Sequence, residues 1–548
     1  MSKRTAGLFG FLLSLILSSC NPVTDELQVY CRQPVIPVLA LRDNNPVLQI
    51  RLISENRLDF RLEKVRLSLA GTTFLEDVDS VRLFLAGENG NFSALTQLGR
   101  TEKAFTEVSF AVNSEITRDT VVFWAAITMR DTVNLKNMIK VTCKEIATSL
   151  GKAKIPVNKS TGGQRVGIAL RQAMQDGIQS HRIPGLTTSK KGTLLAIYDA
   201  RRESDRDLQG DIDIALNRST DGGKTWSPMQ IVMDMGTWGG LPERFNGVSD
   251  ACILSDDNTG DLYIMGLWMH GVLDSRNGKW IEGLSDTSKV WNHQWRSFGS
   301  QPGYDVKQSS QVLITKSTDD GLTWSKPVNI TRQVKKEGWW LMAPAPGHGI
   351  TLADGTLLFP SEGRDQEGFP FSTLIWSKDH GKTWNTANPA CTNTNECMAV
   401  QLSDHSIMLN MRERSNRGRM EGNGRAVAVT HDLGDTWTEH PTSRRALIEP
   451  ACMAALHRHT YVEKGIKKSV LFFSNPNSRT TRNNLTVKTS FDDGKSWPEA
   501  NWLLLDEYVG NGYSCITSID AHTIGILYEG SQADLVFQQI SVHDLIHK

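Results

Sequence analysis

The sequence predicts an all-β protein, a six-bladed β-propeller catalytic domain preceded by a smaller β-sandwich domain. Two observations carry the prediction. A short turn motif occurs five times between Ser219 and Trp497, and the N-terminal part is built from short alternating apolar runs separated by Gly, Asn and Asp clusters.

Residues 1–20 are addressing rather than fold. Lys3 and Arg4 precede an apolar stretch from Leu8 to Leu17 that is too short to span a bilayer as a helix and suits a signal-peptide core. It ends in Leu17, Ser18, Ser19 and Cys20, which resembles the bacterial lipobox, whose cysteine is acylated and begins the mature chain. An ordinary cleaved signal peptide is the alternative, and export follows from both.

Residues 25–150 read as the β-sandwich. Runs such as Val81 to Leu85 and Val121 to Ala125 have strand character and are bounded by turn formers. Thr148 to Gly163, rich in Gly, Lys and Ser, reads as a linker. A carbohydrate-binding module and a plain spacer both fit the preceding segment.

Residues 160–548 carry the repeat. Ser219, Asp221, Gly223, Thr225 and Trp226 recur with the same spacing as Ser317 to Trp324, Ser377 to Trp384, Thr430 to Trp437 and Ser490 to Trp497. Asp accepts hydrogen bonds from turn amides, Gly supplies a positive φ, Ser or Thr bonds the backbone again, and Trp tucks between sheets. The first residues are 98, 60, 53 and 60 positions apart. Three intervals suit a four-stranded blade of roughly 50 residues. The doubled first interval is expected to hide a blade without the motif, giving six in a closed ring. A repeated element does the same scaffolding job in each blade, so its aspartates are structural.

Composition bounds the function. Sixty basic and sixty acidic residues leave no net charge, which argues against nucleic acid and against an anionic membrane surface as partners. Beyond Cys20, seven cysteines cannot all pair with one another. Cys391 and Cys397 are close enough to bridge a loop, although spacing alone does not establish it. No CxxC or HExxH pattern supports a zinc site.

Unrepeated motifs carry the chemistry. His181, Arg182, Ile183 and Pro184 precede the first turn motif; Arg412 follows Asn410 and Met411; Arg482 precedes Asn483 and Asn484. With the repeats, these resemble the bacterial sialidases (neuraminidases) of glycoside hydrolase family 33 over roughly the final 370 residues. The resemblance implies that Arg182, Arg412 and Arg482 form a triad gripping the substrate carboxylate, with Arg414 and Arg479 near enough in sequence to compete for two of the places. Planar guanidinium forks suit a carboxylate that stays ionised at physiological pH.

The same resemblance implies the remaining roles. Glu529, after Tyr528, orients Arg182, and Tyr513 is the nucleophile with Glu396 as its base. Asp207 is the acid/base, with Asp205 its nearest rival; Arg201 contacts a sugar hydroxyl, assisted by Asp250. A carboxylate nucleophile would approach a centre already bearing the substrate's own carboxylate, and like charges repel. A phenol avoids this, and sialidases are a recognised exception to the two-carboxylate rule for glycosidases.

The reading is an exported exo-α-sialidase acting on sialylated glycans and glycoproteins. It is expected to need no metal or organic cofactor, to meet the membrane only through a lipid at Cys20, on the periplasmic or outer-membrane side, and to be a monomer. A lectin that has lost catalysis and a trans-sialidase are the alternatives. The lectin predicts damaged catalytic positions, and all of those positions are intact. The anchor is testable alone: Cys20→Ala is expected to shift the protein into the soluble fraction of the cell envelope, and a variant that stays membrane-bound after washing excludes the lipid.

Overall fold

A computed structural model describes residues 23–24, 27–54, 59–155, 162–269, 272–293 and 298–547; Cys20 and the addressing segment lie outside them. The N-terminal part forms two five-stranded sheets. One runs in the order Val23–Thr24, Gly151–Ala153, Thr142–Thr148, Phe60–Ser68, Glu107–Ile116, the other Leu27–Arg32, Asn45–Ser54, Thr120–Met129, Val78–Leu85, Thr96–Thr101. Alternation puts Leu62, Val65, Val108 and Phe110 of the first sheet and Ile50, Leu52, Leu83 and Phe123 of the second into one core.

The stretch expected as a linker is ordered structure as far as Ala153. Thr148 pairs with Gly151 in a hairpin that extends the first sheet, and only residues 156–161 fall outside the described residues. The N-terminal part is also stitched to the repeat region. Val38–Ala40 pairs in parallel with Gln164–Arg171, and Met138–Ile139 pairs with the start of the same strand. Leu39 is fully buried in the core that holds Phe472, Ile516 and Tyr528. Burying such short apolar segments is worth about 1.5–3 kcal/mol for each large side chain.

Beyond residue 162 six antiparallel sets of four strands can be traced through the described sheets, several with short strands added. The first five follow chain order, beginning at Ser180–Thr188, Gly247–Ser255, Leu341–Pro344, Thr394–Gln401 and Ala455–Glu463; the first two share one nine-stranded sheet, and Gly347–His348 and Ile350–Thr351 come between the first two strands of the third. The sixth joins Ser514–Asp520, Thr523–Tyr528 and Leu535–Ser541 to Gln164–Arg171, so the two ends of the region share one sheet. Ser180–Thr188 lies against both Gly247–Ser255 and Ser514–Asp520, so the first set touches the last.

The repeated turns behave as their chemistry predicts. Ser219 Oγ donates to Asp221 Oδ1 at 2.8 Å and accepts from the Gly223 N–H at 2.8 Å, while Thr225 donates from its backbone at 3.0 Å and its hydroxyl at 2.7 Å to the Asp221 carboxylate. Each turn wedges against the preceding set. A Cβ on Gly223 (φ +94°) would lie 2.1 Å from Phe537, and one on Gly321 (φ +78°) 2.5 Å from Leu195. Gly381, Gly434 and Gly494 meet Tyr263, Ala387 and Met408 in the same way.

One expectation is corrected. The doubled interval does not hide a blade: between Ser219 and Ser317 lie one strand that completes the first set and the first three strands of the second, interrupted by an insertion between Met269 and Gln311 that carries Trp280, Trp291 and His293. The set without a turn motif is the sixth, split between the two ends of the region. Interval arithmetic cannot tell an irregular insertion from a blade.

The turn carboxylates generate a prediction about acid. Hydrogen bonds from the Thr323 side chain and backbone bring Asp319 from 3.8 down to about 2. For Asp379 burial pushes upward, and the bonds from Thr383 outweigh it to reach about 2. A carboxyl whose pKa is depressed on folding stabilises above its unfolded value and loses that contribution as pH falls through the folded one. The urea midpoint is therefore expected to fall between pH 4 and pH 2, and the Asp319→Asn, Asp379→Asn double variant to start lower and fall less over that range. An equal fall in parent and variant contradicts the assignment.

Candidate active site

The site lies along one edge of the six sets, where inner strands begin and their neighbours end. Three inner strands carry the same irregularity. The ladder slips between Arg182 and Gly185, between Ser249 and Cys252, and between Thr394 and Cys397, each time setting two residues against one. Such bulges re-aim side chains. Here they deliver Arg182, Asp250 and Glu396, and the backbone records the strain as φ +61° at Ile183 and +55° at Asp250. Arg201, Glu362 and Arg412 lie at or near the ends of the adjacent strands, and Tyr513 immediately precedes Ser514–Asp520.

These elements enclose a cavity of about 250 Å³ lined by Arg182, Asp207, Asp250, Glu396, Arg412, Arg482 and Tyr513 among others. Tyr513 is its floor. The phenol donates to Glu396 Oε1, and Arg412 Nη1 reaches both Glu396 Oε2 at 2.5 Å and the Tyr513 hydroxyl at 3.0 Å. The guanidinium carbons of Arg182 and Arg482 stand 5.9 and 5.4 Å from the centre of the Tyr513 ring. Burial, then the Glu396 charge, push the phenol well above its ordinary value, against the pull of Arg412 and Arg482.

Glu529 supports the arrangement from behind. It accepts from Arg182 Nε at 2.6 Å and from the backbone N–H groups of Ile183 at 2.9 Å and Tyr513 at 3.1 Å. Burial pushes its pKa upward, but Arg182 and these donors hold it below the usual carboxylate range. Arg482 is fixed by donating to the Asn511 carbonyl at 2.9 Å. Among its rivals, Arg479 donates to the Asn423 carbonyl and does not line the cavity, whereas Arg414 lines it beside Arg412.

On another wall Asp207 is held by Arg201 Nη1 at 2.8 Å and faces His293 Nε2 at 3.4 Å. Burial raises its proton affinity, but His293, Arg201 and Arg182 together pull it well below the usual range. Asp205 contributes only its carbonyl, to Arg201. Arg201 itself is 1% exposed and lies behind Asp207, with Asp199 accepting from its Nε at 3.3 Å and Nη2 at 3.0 Å. Asp199 also takes the Asp250 N–H at 3.2 Å, tying the second bulge to Arg201. Burial, Asp199, Glu396 and Asp207 push the Asp250 carboxyl well above the usual carboxylate range.

Sequence reasoning missed several lining residues, among them Arg364, Arg417, Glu362 and His293. Glu362 lies near the end of the strand Leu357–Arg364 and is pushed up to about 8 by burial and Glu396 against Arg412 and Arg414. A lone acid at the end of a buried strand was the available signal. His293 arrives on the insertion and left no signal. Cys391 and Cys397 are both free thiols and form no bridge.

The family described as BNR repeat-like domain matches residues 192–526, and that described as the N-terminal domain of BNR-repeat neuraminidase matches residues 26–152. A sialidase from Bacteroides fragilis is 38% identical, covering 98% of this chain and 99% of its own, and one from Micromonospora viridifaciens is 30% identical over 65% of this chain and half of its own. The solved structure of the Hadza microbial sialidase Hz136 superposes with a TM-score of 0.84 at 34% identity, covering 94% of this chain and all of that one. The chain belongs to the bacterial sialidases of glycoside hydrolase family 33.

Removing Glu529 tests how the site is held. Glu529→Ala leaves the Arg182 charge and two N–H groups without their acceptor, and is expected to cost about 3–5 kcal/mol of stability in urea unfolding. A loss below about 1 kcal/mol, the scale of a surface ion pair, contradicts the supporting role.

Proposed function

We propose that this chain is a retaining exo-α-sialidase that hydrolyses terminal sialic acids from glycans and glycoproteins through a covalent tyrosyl intermediate. The observation that carries the proposal is the contact among Tyr513, Glu396 and Arg412 at the floor of a cationic cavity. Arg182, Arg412 and Arg482 take the substrate carboxylate. Arg412 Nε, buried and without a partner among the described residues, is one donor suited to it.

In the first half-reaction the Tyr513 oxygen bonds to the anomeric carbon as its proton passes to Glu396, and the bond to the leaving oxygen breaks as Asp207 protonates that oxygen. In the second, Asp207 takes a proton from water, the water oxygen bonds to the anomeric carbon, and the Tyr513 oxygen leaves and recovers its proton from Glu396. Asp207 is an ion before substrate binds, so substrate must change its surroundings. The incoming carboxylate offsets the charge of Arg182, and the leaving sugar buries Asp207 further; both raise its proton affinity.

The proposal extends to the rest of the molecule: a closed six-bladed propeller over 160–548, supported by the contact between first and last sets, and a β-sandwich over 25–150 joined to it. It includes a monomer that is exported and anchored by lipid at Cys20; the export and the anchor are supported by the sequence signal alone.

The roles separate by leaving group. Asp207→Ala is expected to lower kcat/KM for alkyl sialosides about a hundredfold or more while nitrophenyl sialosides, which depart without a proton, suffer far less. Tyr513→Phe is expected to disable both. Equal losses for the two substrates in Asp207→Ala contradict the assignment of the acid.

A further inference from the structure

The sulfurs of Cys31 and Cys143 meet between the two sheets of the N-terminal part. Cys31 lies on Leu27–Arg32, the edge strand of one sheet, where Leu27 and Val29 point into the core and Gln28 and Tyr30 point out. Alternation turns Cys31 inward, and it packs half-buried against that core. Cys143 lies on Thr142–Thr148 of the other sheet and is buried in the same core. The ladder of its strand slips just after it, between Cys143 and Glu145. Its thiol reaches the Glu145 carbonyl only at 3.9 Å, and it makes a hydrogen bond with the Cys31 sulfur.

Gln33 holds the two segments in this register. Two residues beyond Cys31, its side chain donates to the Ile139 carbonyl at 2.9 Å and accepts from the Val141 N–H at 3.4 Å, two residues before Cys143. The neighbouring residues begin the docking onto the repeat region. Arg32 donates to Glu507 at 2.7 Å, and the Val35 carbonyl accepts from the Glu507 N–H at 2.8 Å. A bond between the two sulfurs would fix both sheets where that docking starts. It would tie residues 112 positions apart, and cross-links over long stretches restrict the unfolded chain most.

We propose that Cys31 and Cys143 are a disulfide-forming pair that staples the two sheets of the N-terminal part once the chain meets a disulfide oxidant. The proposal rests on the exported reading, which puts the chain where such oxidants act. The sulfurs have only to close from hydrogen-bond contact to about 2.05 Å. Cys31, the more exposed, attacks first. Its thiolate bonds to one sulfur of the oxidant's disulfide, that S–S bond breaks, and the other oxidant sulfur leaves. Cys143 then attacks the Cys31 sulfur and expels the second oxidant sulfur. The two thiol protons pass to the two departing sulfurs, so the pair loses two electrons and the oxidant disulfide gains them. The hydrogen bond from Cys143 favours this order, because it lowers the Cys31 pKa against the upward push of burial and raises that of Cys143.

The experiment alkylates the thiols of the full chain with N-ethylmaleimide before the cells are broken, then maps its peptides without reduction. A cystine joining the Cys31 and Cys143 peptides is expected, two hydrogens lighter than the reduced pair and abolished by reductant. Purified, reduced chain exposed to oxidised glutathione is expected to form the same link. Reduction is expected to lower the urea midpoint of the parent and to leave that of Cys31→Ser unmoved; if that variant does not fold, the parent with and without reductant still decides. Both cysteines alkylated under both conditions, a cystine from either one to another cysteine, or a midpoint that reduction leaves unchanged overturns the staple. A link that forms with glutathione but is missing from the cellular chain supports the pairing and counts against the exported reading instead.

Discussion

Glu529 joins the two ends of the second region of the chain. Its carboxylate holds the guanidinium of Arg182, from the first inner strand, and the backbone N–H of Tyr513, from the last. The contact that fastens the first set of strands to the last therefore also aims one arm of the cationic clamp and seats the phenol. The first bulge is held by the same carboxylate. Ile183 stays at φ +61° because its N–H is bound by the same carboxylate.

The cavity sorts its carboxyl groups into two populations. Glu529 and Asp207 are pulled down by arginines, while Asp250 and Glu362 are pushed up by burial and by neighbouring acids. The acids pulled down are those paired with an arginine, and the acids pushed up are those buried beside other acids. Environments that separate the proton affinities of like groups assign them different tasks on one wall.

Much of this was legible in the sequence, for reasons that differ by element. The turn motif declares its geometry because each of its residues has one physical job, and the hydrogen bonds within it follow its spacing. Arg182, Glu396, Arg412, Tyr513 and Glu529 converge because their motifs mark strand ends along one edge. The missing blade was misplaced because Met269 to Gln311 is long enough to be one, and length carries no information about pairing. The linker was misjudged because Gly151 and Lys152 form a hairpin against Thr148, a contact across a turn that composition does not encode. Arg201 lies behind Asp207 rather than on the cavity surface because Asp199, two residues earlier on the same strand, draws it inward, and Glu362 went unseen because it belongs to no motif.

The central claim is that a phenol, and not a carboxylate, attacks the anomeric carbon. A 2,3-difluoro sialosyl donor reacts through its activated leaving group and forms an adduct that turns over slowly, so mass spectrometry of proteolytic peptides can locate the new bond. The account predicts the adduct on the peptide containing Tyr513, fragmenting at that residue, and absent from Tyr513→Phe. An adduct on Glu396, Glu362 or Asp207, or a parent enzyme inhibited with no covalent mass added, contradicts it.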